Sequence, residues 1–318
     1  MNVNKGFKKV RRLIKFLPLF CFFTLLILVL SADVRASGTA LRNLTLEEKQ
    51  VLYDLRQERW EDNSVNILKR LSSFTGEAGI MVKDLQTGWT FLHNEELVFP
   101  AASLVKIPIM VACFKAAQDG LLDLNEEYVL QRRDKVGGSG LIRRMRSGRV
   151  FTYEQLIDYM VAHSDNTATN VLIERLGFDY INNVFRELGL EKTVLRRKMI
   201  DFSARNQGTE NYTNAAEISE LLGKIYYGLC LNPEISEKCL EVLKRQKIND
   251  RLPRYLPRDV TVAHKTGLER EVCHDAGIVF TSSGDYIITV LVRTWVGPKT
   301  AKNFIARLSS YFYQVFKT

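Results

Sequence analysis

From residue 45 onward the spacing of apolar positions changes twice. Leu46, Val51, Leu55, Val65, Leu68 and Leu71 fall at helical spacing behind the charged, capped opening Thr45-Leu46-Glu47-Glu48, which predicts a helical stretch. The period then shortens to two: 78–85 reads as a strand, Gln86-Thr87-Gly88 as a turn and 89–93 as a second strand. Phe99-Pro100 breaks the chain before Ala101-Ala102-Ser103-Leu104-Val105-Lys106-Ile107-Pro108. This stretch starts an apolar helix that runs through Met110, Cys113 and Phe114 and stops near Asp119-Gly120. Helical periods continue over 152–162, 166–176, 180–188 and 212–227 and again after Pro233, while 196–214 is polar and irregular. Strand patterns return at 260–265, 272–280 and 286–294, with tight turns at Ser282-Ser283-Gly284-Asp285 and near Gly267–Glu271, and a last helix covers 300–316.

Strands at both ends and helices between them predict an α/β (α+β) architecture. Segments 45–102 and 255–318 build a mixed lobe around a mostly antiparallel five-stranded sheet flanked by helices, and 103–254 forms an inserted all-helical lobe. The cleft between such lobes is the usual place for an active site.

Charge changes this picture only once it is located. The 318-residue chain has a formal net charge of +9, but residues 1–36 hold seven basic residues against Asp33 alone, so the remainder carries only +3. Those first residues have the three-part layout of a secretory signal: a basic start, an apolar run from Phe16 to Leu30, and a small-residue segment in which Val34-Arg35-Ala36 suits cleavage. The run is also nearly long enough to stay as a single-helix anchor. The expectation is an exported, periplasmic or otherwise extracytoplasmic protein, its leader cleaved or kept as an anchor. Cys113, Cys230, Cys239 and Cys273 form no disulfide framework. Cys230 and Cys239 could pair around Asn232-Pro233, or each could be a small buried hydrophobe.

The basic, glycine-rich run 132–149 lacks the Gly-Lys-Ser/Thr ending of a phosphate loop, and reads as a mobile surface loop with solvated arginines. No aromatic interleaving points to nucleic acid. His163, His264, His274 and Cys273 show no metal-ligand spacing, so neither a metal nor a cofactor is expected.

Three polar clusters fall where elements meet: Ser103 with Lys106, Ser164-Asp165-Asn166, and Lys265-Thr266-Gly267. In the first, residues three apart share a helix face, so a hydroxyl would lie within reach of an amine. Burial among Leu104, Val105, Ile107 and Ile109 would lower that amine's pKa toward the range of a base. Spacing alone equally suits an N-cap serine and a snorkelling lysine; Ser164 could be a helix N-cap, and Lys265-Thr266-Gly267 a strand end running into a turn. The three together, in this order and about 60 and 100 residues apart, are far more specific than any one of them.

With these three clusters the chain resembles the class A serine β-lactamases and the related penicillin-binding D-alanyl-D-alanine peptidases, from about Thr45 to the C-terminus. The resemblance implies a serine hydrolase acylated at Ser103 by β-lactams, acting as a monomer on a β-lactam or D-alanyl peptide. Lys106 would be base or relay, and Ser164 would pass a proton to the departing nitrogen. Asn166 would hold the substrate's side-chain amide, Lys265 and Thr266 its carboxylate, and Gly267 would let it lie close to the strand. Ser103 and Leu268 N–H groups would form the oxyanion hole. The sequence departs from class A where the family carries a glutamate that activates the deacylating water. Here Arg197-Lys198-Met199-Ile200-Asp201-Phe202 puts Met199 in that place, and a thioether cannot take a proton from water. Asp201 or Glu210 could substitute, though Asp201 also suits a loop cap. The departure opens an alternative function: a penicillin-binding sensor, or a D-alanyl-D-alanine peptidase with slow deacylation.

Overall fold

The structure, a computed structural model, describes residues 45–316. The expected leader, its cleavage and its anchoring lie outside them. Residues 51–317 form one compact unit; of the other unit, 1–50 with Thr318, only the start of the first helix is described. The two expected lobes are thus regions of one body.

In chain order the elements are α1 (Leu46–Leu71), β1 (Glu77–Asp84), β2 (Thr90–His93), β3 (Phe99–Pro100), a 3-10 helix Ala102–Val105 and α2 (Lys106–Gln118). Next come β4 (Glu127–Val129), β5 (Val150–Thr152), α3 (Tyr153–Ala162), α4 (Asn166–Leu176), α5 (Phe178–Glu187), α6 (Phe202–Asn206), β6 (Tyr212–Thr213) and α7 (Ala215–Tyr226). The chain continues through α8 (Pro233–Lys244), β7 (Thr261–Leu268), β8 (Val272–Phe280), β9 (Tyr286–Arg293) and α9 (Pro298–Val315).

The main sheet has the order β2-β1-β9-β8-β7, and all its pairings are antiparallel. Strands β8 and β9 are buried almost throughout, so their sequences are nearly continuous apolar runs instead of alternating ones. Successive side chains still part to opposite faces. Ile288, Val290 and Val292 join Trp60, Ile67, Ile305 and Phe312 in a core beneath α1 and α9. Ile287 and Leu291 enter the larger core with Leu222 and Ile225 of α7 and the helices around α2. A buried side chain of this kind stabilises by roughly 1.5–3 kcal/mol, so these two cores hold the sheet between helical layers.

Segment 103–254 is not all-helical. It contains the short ladder β4–β5 and also β6, which pairs with β3 just before the Ser103 segment. Nor is 196–214 wholly irregular, since it contains α6 and β6. Ser103 lies in the 3-10 turn and the α-helix begins at Lys106. Pro108 fits there because an N–H in the first turn has no intrahelical acceptor to lose. All four described cysteines are free and buried, so Cys230 and Cys239 do not pair.

Candidate active site

The segment carrying Ser103 is fixed from below. Pro100 and Phe99 pair with Tyr212 and Thr213, and Ala101 N–H donates to Asn211 O at 2.8 Å. His274, buried in β8, reaches up: its Nε2 lies 2.9 Å from Pro100 O, while its Nδ1 accepts the Val292 N–H at 3.1 Å. These partners require a neutral ring with the proton on Nε2. Burial, outweighing the backbone partners, pushes its pKa down to about 4. Ala102 is then held at φ 44°, a strained value for a residue with a side chain, immediately before Ser103. Ser103 itself is half-buried.

Lys106 is fully buried, and its hydrogen bonds run to the second cluster. It reaches Ser164 O at 2.7 Å, Ser164 Oγ at 3.3 Å and Asn166 Oδ1 at 2.8 Å. Lys265, equally buried, meets the same hydroxyl from the sheet side, with Nζ 2.9 Å from Ser164 Oγ and 2.8 Å from Thr266 O. Burial lowers the Lys106 pKa to about 7, with Asp165 opposing. Burial also drives Lys265 well below its ordinary value, helped by the charge of Lys106 and opposed by Asp275. Two amines on one hydroxyl in a dry site disfavour double protonation.

Ser164 sits at φ 51° between α3 and α4, and the N-cap of α4 is Asp165 instead of Ser164. Asp165 accepts Ala168 N–H with one oxygen (3.0 Å), and Leu141 and Ile142 N–H with the other (2.6 and 2.8 Å). Asn166 donates to Gly137 O at 3.1 Å, and Thr167 Oγ1 accepts Val136 N–H at 3.2 Å. The glycine-rich loop expected to be mobile is therefore docked onto the second cluster. Gly140 makes the docking close: at φ 114°, any Cβ there would lie 2.3 Å from an Asp165 carboxylate oxygen.

Lys265, Thr266 and Gly267 lie within β7, the sheet's edge strand, and not beyond its end. Glu269 N–H donates to Val272 O across the turn. By the antiparallel alternation Gly267 and His274 form the next hydrogen-bonded pair, and Leu268 faces Cys273 in a non-bonded one. The Leu268 N–H thus points to the open edge. A Cβ on Gly267 would come within 3.2 Å of the His274 ring and 3.4 Å of Ala102 Cβ. The missing side chain leaves room for the Ser103 segment beside the strand. Behind β7, His264 Nδ1 is 2.9 Å from Asp275 Oδ1, and Asp275 also accepts Leu252 N–H at 3.0 Å, so His264 braces the strand from behind.

Segment 197–210 closes on itself. Arg197 holds Glu210 with two bonds, at 2.8 and 3.1 Å, and reaches Glu269 at 2.8 Å. Glu210 also accepts Asn211 N–H, and Asp201 caps α6 through Ala204 N–H at 2.9 Å. Both carboxylates considered for deacylation are thereby engaged elsewhere. Asn170, unremarked in the sequence reading, grips Met199 by main-chain N–H and C=O, at 2.8 and 3.0 Å. Its signal was its place four residues after Asn166, on the same helix face. His274 and Arg197 left no such local signal, because their partners are distant in sequence. Among the described residues no group of three or more His, Cys, Asp or Glu side chains could hold a metal ion.

Compared with known proteins, residues 63–316 match the profile of the β-lactamase enzyme family. A β-lactamase of Rhodobacter capsulatus is 27% identical over 236 residues, which span 73% of this chain and 76% of that relative. Among solved structures, the β-lactamase of Sphaerobacter thermophilus has a TM-score of 0.75 at 28% identity, over 80% of this chain and 96% of that one. An acyl-enzyme complex of a PBP-A mutant with penicillin G has a TM-score of 0.74 at 30% identity and the same coverage.

The geometry of His274 predicts acid sensitivity. Its folded pKa of about 4 lies below the unfolded value of about 6.5, so the unfolded state binds more protons between them. Stability should fall as pH drops from about 6.5 to about 4, by an order-of-magnitude 3 kcal/mol from this group. Urea unfolding across pH should show a shallower acid limb in His274→Phe. That variant should also lose about 1–3 kcal/mol at pH 7, from the unpaired Pro100 O and Val292 N–H.

Proposed function

The chain belongs to the β-lactamase enzyme family, and on that premise we propose how its own residues divide the chemistry of a serine hydrolase acting on the β-lactam amide. The observation that carries the proposal is the meeting of Lys106 and Lys265 at Ser164 Oγ. Ser103 Oγ attacks the lactam carbonyl carbon. Its proton passes to Lys106, whose pKa of about 7 leaves a large neutral fraction near neutral pH. As the C–N bond breaks, Ser164 gives its proton to the lactam nitrogen and is reprotonated from the neighbouring amines. The developing oxyanion is met by the Leu268 N–H at the open edge of β7. It is also met by the Ser103 N–H, which lies in the first 3-10 turn and so has no intrahelical acceptor. Thr266 and Lys265 bind the substrate carboxylate. Asn166 spends one N–H on Gly137, and its second N–H takes the side-chain amide of the substrate.

Release of the acyl group is less well provided for. The water must lose a proton to hydrolyse the ester, and by sequence register Met199 replaces the glutamate that would take it. With Glu210 tied to Arg197 and Asp201 capping α6, we assign deacylation as the slow step. Met199 therefore favours a second reading, in which a long-lived acyl-enzyme makes the protein a penicillin-binding sensor or a slow D-alanyl-D-alanine peptidase. The charged leader supports export, to the periplasm or another extracytoplasmic space, with residues 16–30 as cleaved signal or anchor. Among the described residues no helix is long and apolar enough to cross a membrane. We expect a monomer.

A chromogenic cephalosporin should give a stoichiometric burst followed by slow turnover, and mass spectrometry should place the adduct on Ser103. Met199→Glu should raise the steady-state rate by at least tenfold while leaving the burst rate within about threefold, because general-base catalysis is worth roughly 10²–10⁴-fold. Absence of any adduct in the unmodified protein, with Ser103→Ala behaving identically, contradicts the proposal.

A further inference from the structure

Outside the leader the chain carries a net +3, yet residues 132–149 alone hold seven basic side chains and one acidic, Asp134. The rest of the chain beyond residue 36 is therefore net negative, and the excess positive charge is concentrated in one loop. That loop is not a solvated fringe. Asp165 and Thr167 fasten its backbone, and Gly137 is bonded directly to Asn166.

Lys135, Val136, Gly137, Arg143 and Arg144 line a cavity of about 390 Å³ in this loop. Gly137 belongs to both features: it walls the cavity, and its carbonyl holds the asparagine assigned to the substrate's side-chain amide. Lys135 is half-buried, and its ammonium is set by Met145 O at 2.5 Å. Among the described residues neither it nor Arg143 nor Arg144 makes an ion pair. Asp134 is already occupied by Tyr128 OH and Gln131 N–H. Three cations without an ion-pair partner, carried on a fastened backbone, set a positive field at this cavity, and arginine is suited to carboxylates.

We propose that the Lys135–Arg143–Arg144 cavity is an acyl-side subsite for a carboxylate. The preferred substrates then carry a negative charge just beyond the amide held by Asn166, on the side of the scissile carbonyl away from the leaving nitrogen. This inference rests on the catalytic reading above, and it adds a substrate class that the reading leaves open. A carboxylate there could come from a β-lactam side chain or from an acidic residue of a peptide donor, so both sources belong in the test.

The experiment measures second-order acylation of Ser103 for benzylpenicillin and its α-carboxy derivative. A matched pair of acyl-D-alanyl-D-alanine peptides, with and without an acyl-side carboxylate, competes against the same reaction. Each is run with the unmodified protein and with the R143Q/R144Q double variant, whose changes are on exposed side chains. The carboxylated member of at least one pair should lose about fivefold in the variant, with the uncharged member unchanged, and added salt should erode the same preference. Loss only in the penicillin pair, or only in the peptide pair, identifies the source. An equal ratio in both proteins for both pairs overturns the subsite while leaving catalysis intact. Failure of benzylpenicillin to acylate the unmodified protein overturns the catalytic reading and the subsite with it.

Discussion

Two buried lysines share the hydroxyl of Ser164, and the rest of the site is arranged to make that contact tolerable. An amine taken out of water costs several kcal/mol if it stays charged and unpaired, and a second cation beside it raises the cost. The fold meets this in two ways. Lys106 has three oxygen acceptors, and Lys265 bonds the carbonyl of Thr266 as well as Ser164. Burial then favours loss of a proton near neutral pH. The same constraint explains the strained φ of 51° at Ser164, which turns both its carbonyl and its hydroxyl toward the lysines.

Placing the nucleophile opposite this contact requires three segments to approach closely. Gly267 lacks the carbon that would crowd Ala102, and Gly140 the one that would strike Asp165. His274 ties Pro100 to the central sheet without introducing a charge there. Attack and acyl transfer thus rest on rigid elements. The 197–210 segment is held just as firmly, by Asn170 on Met199 and by Arg197 on Glu210.

Much of this was legible in the chain. The hairpin, the apolar helix behind Ser103 and the three final strands announced themselves through period and turn chemistry, and three clusters in order pointed to acyl transfer. Other features depended on contacts between distant residues. Lys106 looked like a partner of Ser103 because they are three apart, yet its acceptors lie 58 and 60 residues away. The loop at 132–149 looked mobile because glycine and arginine are typical of exposed turns; its anchors, Asp165 and Thr167, belong to another element. Cys230 and Cys239 suggested a bridge by proximity in sequence, but each is buried as a thiol. Glu210 could substitute as a base by sequence alone, but Arg197, 13 residues away, holds it with two bonds.

In the proposed mechanism, acylation depends on a lysine that burial leaves largely neutral above about pH 7. The most direct measurement is the rate constant for Ser103 acylation by a penicillin between pH 5 and 9, limited to the range where the protein stays folded. The rate should rise about tenfold per pH unit on the acid side, bend near the Lys106 value of about 7, and be level above it. A rate independent of pH across that range, or a bend displaced to the ordinary lysine value of about 10.4, would contradict it.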